Sequence, residues 1–206
     1  MSQAAHTPGT PPLRSIVLAG GASSRMGTDK ALLRFLGEPQ VHRMAGLLER
    51  VAPPAYVSVR SAQAVSEAFR GLRLLEDREA EMGPVEGVLS AFREAPECAW
   101  LVVAVDMPLL GEGTLRRLIE LRDPELYATA YRICEIDAPE PLCTIYEPRI
   151  IPVLEGRKAE GRRSLMVLRD LPIRLLEPHD AAELRNVNDP QAHREAEALL
   201  RPPRAP

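Results

Sequence analysis

The chain has 206 residues, is 45% hydrophobic and 27% charged, and carries a formal net charge of −3, which is the composition of one ordinary globular domain or of one domain with a small appended lobe. No basic excess points to nucleic acid, and no apolar run reaches the roughly 18 residues of a membrane span. The cysteines, Cys98, Cys134 and Cys143, are odd in number and far apart; they offer no zinc-like spacing and read as reduced thiols of a cytoplasmic protein.

Residues 1–14 are polar, rich in Pro and Thr, and read as a disordered tail without the apolar stretch of a signal peptide. Residues 15–19 form a short apolar run that stops at Gly20-Gly21, the pattern of a buried parallel strand. A long polar loop follows, from Gly20 to Asp29. Val41, Met44, Leu47, Leu48 and Val51 share one helical face, and Pro53-Pro54 ends that helix. Residues 56–59 predict a second strand. Ser61 is placed to cap a helix through Phe69. Residues 72–75 predict a third strand, ending at Glu76-Asp77. Pro84 opens a helix to about Ala95. Residues 100–105 are the most continuous apolar run, ending at Asp106, and a helix over 114–121 follows.

After about Leu126 the rhythm changes. Residues 127–133 and 142–146 predict two strands, with Glu135 and Asp137 as solvated loop charges between them. Short helical patterns near 150–154 and 163–171, a strand over 173–176 and a helix over 190–200 complete a single domain spanning 15–200, with 201–206 frayed. Alternating strands and helices predict an α/β fold: a Rossmann-like, three-layer α/β/α arrangement on a mostly parallel sheet.

Open α/β sheets bind ligands beyond the carboxyl ends of their strands. Three predicted strands end at chemically useful residues: Gly20-Gly21, Asp77 and Asp106. The loop after the first, Gly20-Gly21-Ala22-Ser23-Ser24-Arg25-Met26-Gly27-Thr28-Asp29-Lys30, is neither a Walker A loop nor GxGxxG. Its glycines let backbone N–H groups approach an anion, its serines add donors, and Arg25 and Lys30 bring positive charge, as a triphosphate requires. The chain has only two lysines, Lys30 and Lys158, and only two asparagines, Asn186 and Asn188. Asp106, at the end of a buried strand, suits Mg²⁺, an ion that joins one or two carboxylates to phosphates. The scattered histidines read as structural or surface groups. Arg157-Lys158 with Arg162-Arg163 forms a basic cluster in a predicted loop, either a solvated face or a seat for an anionic substrate.

The run from Leu18 to Leu32 resembles the signature of the molybdenum cofactor guanylyltransferases, within the nucleotidyltransferase superfamily. The resemblance continues at Gly83-Pro84-Val85-Glu86-Gly87, Val105-Asp106-Met107-Pro108, Pro141-Leu142-Cys143 and Asn186-Val187-Asn188-Asp189-Pro190. It implies transfer of GMP from GTP to molybdenum-bound molybdopterin, with release of pyrophosphate. It further implies nucleotide contacts from Leu18, Ala19, Gly20, Gly21, Lys30, Asp77 and Asp106, with Arg25, Lys30 and Asp106 catalytic. Asp106 would be the Mg²⁺ ligand, and Asn186 and Asn188 would face the pterin. Molybdoenzymes or their chaperones become transient partners on the same footing. Where members of the family often carry an Asn used in base recognition, this chain reads Val59-Arg60-Ser61. Two alternatives stand beside this reading: a cytidylyl or sugar-phosphate nucleotidyltransferase on the same fold, and a GTP-binding protein without turnover.

Overall fold

A computed structural model describes residues 9–20 and 30–201. The elements in chain order are β1 (Leu13–Leu18), β2 (Arg34–Phe35), β3 (Glu38–Pro39), α1 (Gln40–Val51), β4 (Ala55–Val59), α2 (Ser61–Ala64), β5 (Arg73–Glu76), α3 (Pro84–Glu94) and β6 (Ala99–Ala104). Then follow α4 (Glu112–Glu120), β7 (Ala128–Ile133), β8 (Ala138–Tyr146), α5 (Ile151–Ala159), β9 (Arg174–Leu176) and α6 (Pro190–Leu200).

A seven-stranded sheet runs in the order β5-β4-β1-β6-β8-β7-β9. β5, β4, β1 and β6 are parallel neighbours, β8 is antiparallel to both β6 and β7, and β7 pairs in parallel with β9. The sheet is thus mostly parallel, as the alternating pattern predicts. β6, Ala-Trp-Leu-Val-Val-Ala, is buried at every position, because helices cover both faces of it. On one face α1 and α4 pack with Val17, Val57, Leu101 and Val103; on the other, α3 and α5 enclose Ile16, Trp100 and Val102. In α1 the stripe Val41, Met44 and Leu48 is at most 2% exposed, and each such side chain contributes about 1.5–3 kcal/mol on burial. None of the described helices is long and apolar enough to cross a membrane.

The structure corrects several boundaries. β1 begins at Leu13, inside the expected tail 1–14. The backbone explains this: Ala99 N–H donates to the Pro12 carbonyl at 2.8 Å, and Arg122 donates to the Pro11 carbonyl at 2.9 Å while its guanidinium grips the buried Glu147. The expected helix over 61–69 is a single turn, α2, followed by a 3₁₀ turn at Glu67–Phe69, because Ser66 turns its hydroxyl onto the Ala68 N–H and restarts the chain. Residues 165–170 are likewise 3₁₀ rather than α, capped by Ser164. α5 extends to Ala159, which places Arg157 and Lys158 on a helix rather than in a loop. β8 begins at Ala138 and passes through Pro139 and Pro141, which supply no ladder N–H, and its register with β7 shifts between Ala130 and Arg132.

The β2–β3 hairpin has no counterpart in the predicted elements. Its two-residue turn holds Leu36 at φ 53° and Gly37 at φ 84°, the left-handed pair that such turns need, and leucine is not a residue that announces it. His193 lies against Phe35 with ring centroids 4.5 Å apart, His42 contacts the Ala68 carbonyl and His179 is exposed. Cys98 and Cys143 are buried, Cys134 is exposed, and all three are free thiols. Asp137, at the β7–β8 turn, is exposed and pairs with Arg132.

Candidate active site

The parallel strands finish level with one another: Leu18 is paired with both Ser58 and Ala104, and Val59 with Glu76. Their continuations form a crest. The ladder runs one step further, with Ala19 N–H donating to the Ser58 carbonyl (3.0 Å) and Val105 N–H to the Leu18 carbonyl (3.2 Å). A cavity of about 180 Å³ opens there, lined by Leu18, Ala19, Gly20, Lys30, Ser58, Asp77, Gly83, Pro84, Gly87, Ala104, Val105, Asp106 and Leu142.

Lys30 enters on a 3₁₀ turn, Lys30–Leu32, and its ammonium donates to Asp106 Oδ2 at 2.9 Å and to Asn188 Oδ1. Asn188 reaches this point because Val187 N–H donates to the Asp106 carbonyl at 2.8 Å, fastening the segment before α6 to the end of β6. Asp106 Oδ1 is buried and has no hydrogen-bond partner among the described residues. A shielded carboxylate oxygen without a donor is costly unless something else supplies positive charge. One such carboxylate suits Mg²⁺, which takes oxygen ligands and leaves most of its sphere to phosphates and water. Among the described residues no cluster of three or more His, Cys, Asp or Glu offers a metal cage made by the protein alone.

On the other side of β1, Asp77 is 7% exposed. Burial pushes its carboxyl above the usual carboxylate range, and hydrogen bonds from Ser58 (2.7 Å) and Ser90 (3.2 Å) to Oδ1 oppose that push. Gly20 leaves room for it: a Cβ there would lie 2.7 Å from Asp77 Oδ2. Gly87 serves a similar end on α3, where a Cβ would meet Leu18 Cδ2 at 2.8 Å and Ser58 Oγ at 3.0 Å. Glycine therefore lets α3 rest against β1 and β4 below the cavity. Gly83 has φ 60°, a left-handed backbone, and turns the chain so that Pro84 starts the helix at the cavity wall.

Of the residues expected at the site, Leu18, Ala19, Gly20, Lys30, Asp77 and Asp106 line one cavity, and Asn188 contacts Lys30. Asn186 does not join them: it lines a separate shallow depression beside α6, with Leu109 and Glu195. Gly21 and Arg25 lie outside the described residues. Lys158 is not part of a solvated face, because its ammonium bridges Glu79 and the fully buried Glu86, each at 2.8 Å. Arg162 pairs with Glu160, and Arg162 and Arg163 are both exposed.

Sequence reasoning missed four groups. Ser58 and Ser90 hold Asp77. Gln63 is buried and donates to the Ala19 carbonyl at 3.1 Å. Glu140 on β8 is 5% exposed and accepts from Leu142 N–H at 2.9 Å; burial raises its carboxyl, and the charge of Asp106 adds to the rise. A carboxylate between two strand prolines, Pro139-Glu140-Pro141, was the available signal for the last.

An open, mostly parallel sheet whose crest gathers a lysine, a shielded aspartate and close glycine backbone defines an α/β enzyme site for a phosphate-bearing substrate. The family model described as the MobA-like NTP transferase domain matches residues 15–176. A molybdenum cofactor guanylyltransferase of Pseudomonas putida is 32% identical over 186 residues, covering 88% of this chain and 95% of that protein. A molybdenum cofactor biosynthesis bifunctional protein of Synechocystis is 30% identical over 181 residues; the match covers 87% of this chain but only 52% of that longer protein. Among solved structures, the molybdopterin-guanine dinucleotide biosynthesis protein A of Archaeoglobus fulgidus superposes with a TM-score of 0.77 at 21% identity, covering 90% of this chain and 97% of that one, a likeness of fold. The chain belongs to the MobA-like NTP transferase family and is a nucleotidyltransferase.

Proposed function

We propose that this chain transfers the GMP moiety of GTP to molybdenum-bound molybdopterin, giving the guanine dinucleotide and pyrophosphate. The observation that carries the proposal is the Lys30–Asp106–Asn188 cluster, which lies beside close-approach backbone at Gly20 and leaves Asp106 Oδ1 shielded with no donor among the described residues. The guanylyltransferase named among the relatives agrees with it.

A phosphate oxygen of the acceptor attacks the α-phosphorus. A new P–O bond forms, the bond from the α-phosphorus to the bridging oxygen breaks, and its electron pair leaves with pyrophosphate. The nucleophile is already an anion, so the site needs charge neutralisation and alignment more than a general base. Lys30 is held by Asp106 and Asn188 and presents a fixed positive charge to the phosphates. Asp106 would hold Mg²⁺ through Oδ1, and that ion, when bound, supplies further neutralisation of the triphosphate. Backbone at Leu18–Gly20, with Asp77 beyond it, receives the nucleoside. Asn188 lies on the far side of Lys30, where an acceptor would approach. A cytoplasmic location and transient contact with molybdoenzymes or their chaperones belong to the same proposal.

The test is pyrophosphate release with GTP, Mg²⁺ and the pterin acceptor, beside the same assay with CTP. Turnover with GTP supports the proposal, and turnover with CTP alone replaces it by a cytidylyl transfer. Asp106→Asn should keep the melting temperature and lower kcat about 10²- to 10³-fold, the cost of one lost electrostatic partner. Normal turnover by that variant would remove Asp106 from the metal site.

A further inference from the structure

The ammonium offered to the phosphates also sits on the carboxylate proposed for the metal. Lys30 Nζ lies 2.9 Å from Asp106 Oδ2, and the two side chains are only 23% and 18% exposed. Salt therefore screens this pair less than it screens a surface ion pair. Both ends are anchored. Ala31, in the same 3₁₀ turn as Lys30, is 0% exposed, and Leu33 N–H donates to the Lys30 carbonyl at 3.2 Å. At the other end, Val187 N–H donates to the Asp106 carbonyl at 2.8 Å, and Asn188 Oδ1 accepts from the same ammonium. The pair is thus built into the crest and lines its cavity.

The charges then set a condition on binding. Lys30 and Asp106 cancel, so Oδ1, shielded and with no donor among the described residues, offers a divalent cation an oxygen but no net negative charge. Among the described residues no cluster of three or more His, Cys, Asp or Glu makes up that deficit. The ammonium repels a second cation placed near it, and in a half-buried site this repulsion is stronger than in bulk water. A triphosphate reverses the balance: its oxygens neutralise the ammonium and complete the oxygen shell that one carboxylate cannot fill. The ammonium need not leave Oδ2 for this to happen. We infer that Lys30 makes metal binding at Asp106 conditional on the nucleotide, so that the free protein discriminates against a bare divalent cation and accepts it together with a triphosphate. Read in the other direction, the metal tightens the nucleotide by the same factor. The inference rests on the reading of Asp106 as the metal ligand.

The experiment measures Kd for Mn²⁺, a carboxylate-binding ion whose free form is counted by electron paramagnetic resonance, on the full chain without nucleotide. The proteins are the wild type, Lys30→Met, Lys30→Gln, Lys30→Arg, and Lys30→Met combined with Asp106→Asn. Melting curves of each show that the fold is kept, and either neutral variant suffices if the other fails to fold. The neutral variants should bind Mn²⁺ about 10- to 100-fold more tightly than the wild type, the usual range of coupling between two sites. Lys30→Arg keeps the charge and should stay with the wild type. The double variant should lose the gain, which locates the ion at Asp106. No gain in the neutral variants, an equal gain in Lys30→Arg, or a gain that survives Asp106→Asn would each overturn the inference. A second titration, with GTP present, separates it from the metal reading. The wild type should then draw Mn²⁺ into a protein-bound complex, and Asp106→Asn should not. If those two proteins behave alike, the metal reading fails and this inference with it; if they differ while the neutral variants show no gain, this inference alone fails.

Discussion

Asp77 meets two opposed demands. Its carboxylate borders the space beside Gly20 where a nucleoside would lie, and burial there disfavours the charge despite Ser58 and Ser90. The folded state therefore binds the Asp77 proton more readily than the unfolded chain does. The sign follows from linkage: the stability associated with this group falls as pH rises from the ordinary aspartate range through the raised folded value. Asp77→Asn keeps an oxygen acceptor for both serines and removes the buried charge. The variant should be at least as stable as the wild type near neutral pH, should lose that part of the pH dependence, and should bind GTP more weakly. Melting curves at several pH values, paired with GTP titrations, check both halves; a variant less stable at neutral pH would show that the charge is better compensated than its burial suggests. At this scale the sequence was informative where a residue type is rare or sits in a signature. Lys30 is one of two lysines, and Asp106 ends the most apolar run. Ser58, Ser90 and Gln63 are ordinary residues in ordinary strands and helices, and only their neighbours in space define what they do.

Among the elements, α3 carries more than its motif suggests. Gly83-Pro84-Val85-Glu86-Gly87 reads locally as a turn into a helix, and Gly83 and Pro84 behave that way. Glu86 does something no local pattern shows. Its side chain is 0% exposed and accepts from Arg93 (2.5 Å), Lys158 (2.8 Å) and the Arg78 N–H (3.1 Å). Arg93 also donates to Ser90 at 2.7 Å, and Ser90 donates to Asp77, so α5 and the loop after β5 are bound to one buried carboxylate. Burial alone would raise that carboxyl, but the Lys158 and Arg93 interactions outweigh it and the net shift is downward. The stabilisation is therefore present above the ordinary glutamate range and is lost as pH falls through the lowered folded value. Breaking such a pair costs about 3–5 kcal/mol. Arg93 and Lys158 keep 29% and 21% of their side chains exposed, so water recovers part of the loss and the lower end is expected for Glu86→Ala. Urea unfolding at neutral pH reads this directly, and a loss within 0.5 kcal/mol, about the range of a plain surface substitution, would mean that the pair adds nothing. The same contacts explain why a basic cluster at Arg157-Lys158 looked solvated in one dimension: its partners lie some 70 positions earlier in the chain, on the order of half the length of a typical domain.

Over the whole molecule the site is assembled from distant segments: the end of β1, the turn at Lys30, the loops after β5 and β6, and Asn188 near the C-terminal helix. Alternation of strands and helices made the parallel half of the sheet legible. The antiparallel insertion of β8 between β6 and β7 was not, because an edge-to-centre exchange of strand order leaves no local mark. Nor does any pattern near residue 188 announce that Val187 hydrogen-bonds to Asp106. A ligand joining these segments stabilises the fold as a unit. At 100 times its Kd a nucleotide adds about 2.7 kcal/mol, which raises the melting temperature of a chain this long by roughly 5–11 °C. GTP with Mg²⁺ should produce that shift and CTP a smaller one. Asn188→Ala removes an acceptor that holds the Lys30 ammonium, so at the same GTP concentration its shift should shrink while its melting temperature without nucleotide stays close to that of the wild type. An undiminished shift would mean that the segment before α6 packs against the site without shaping it, since a group that contributes nothing to the bound state cannot alter the stability that binding confers.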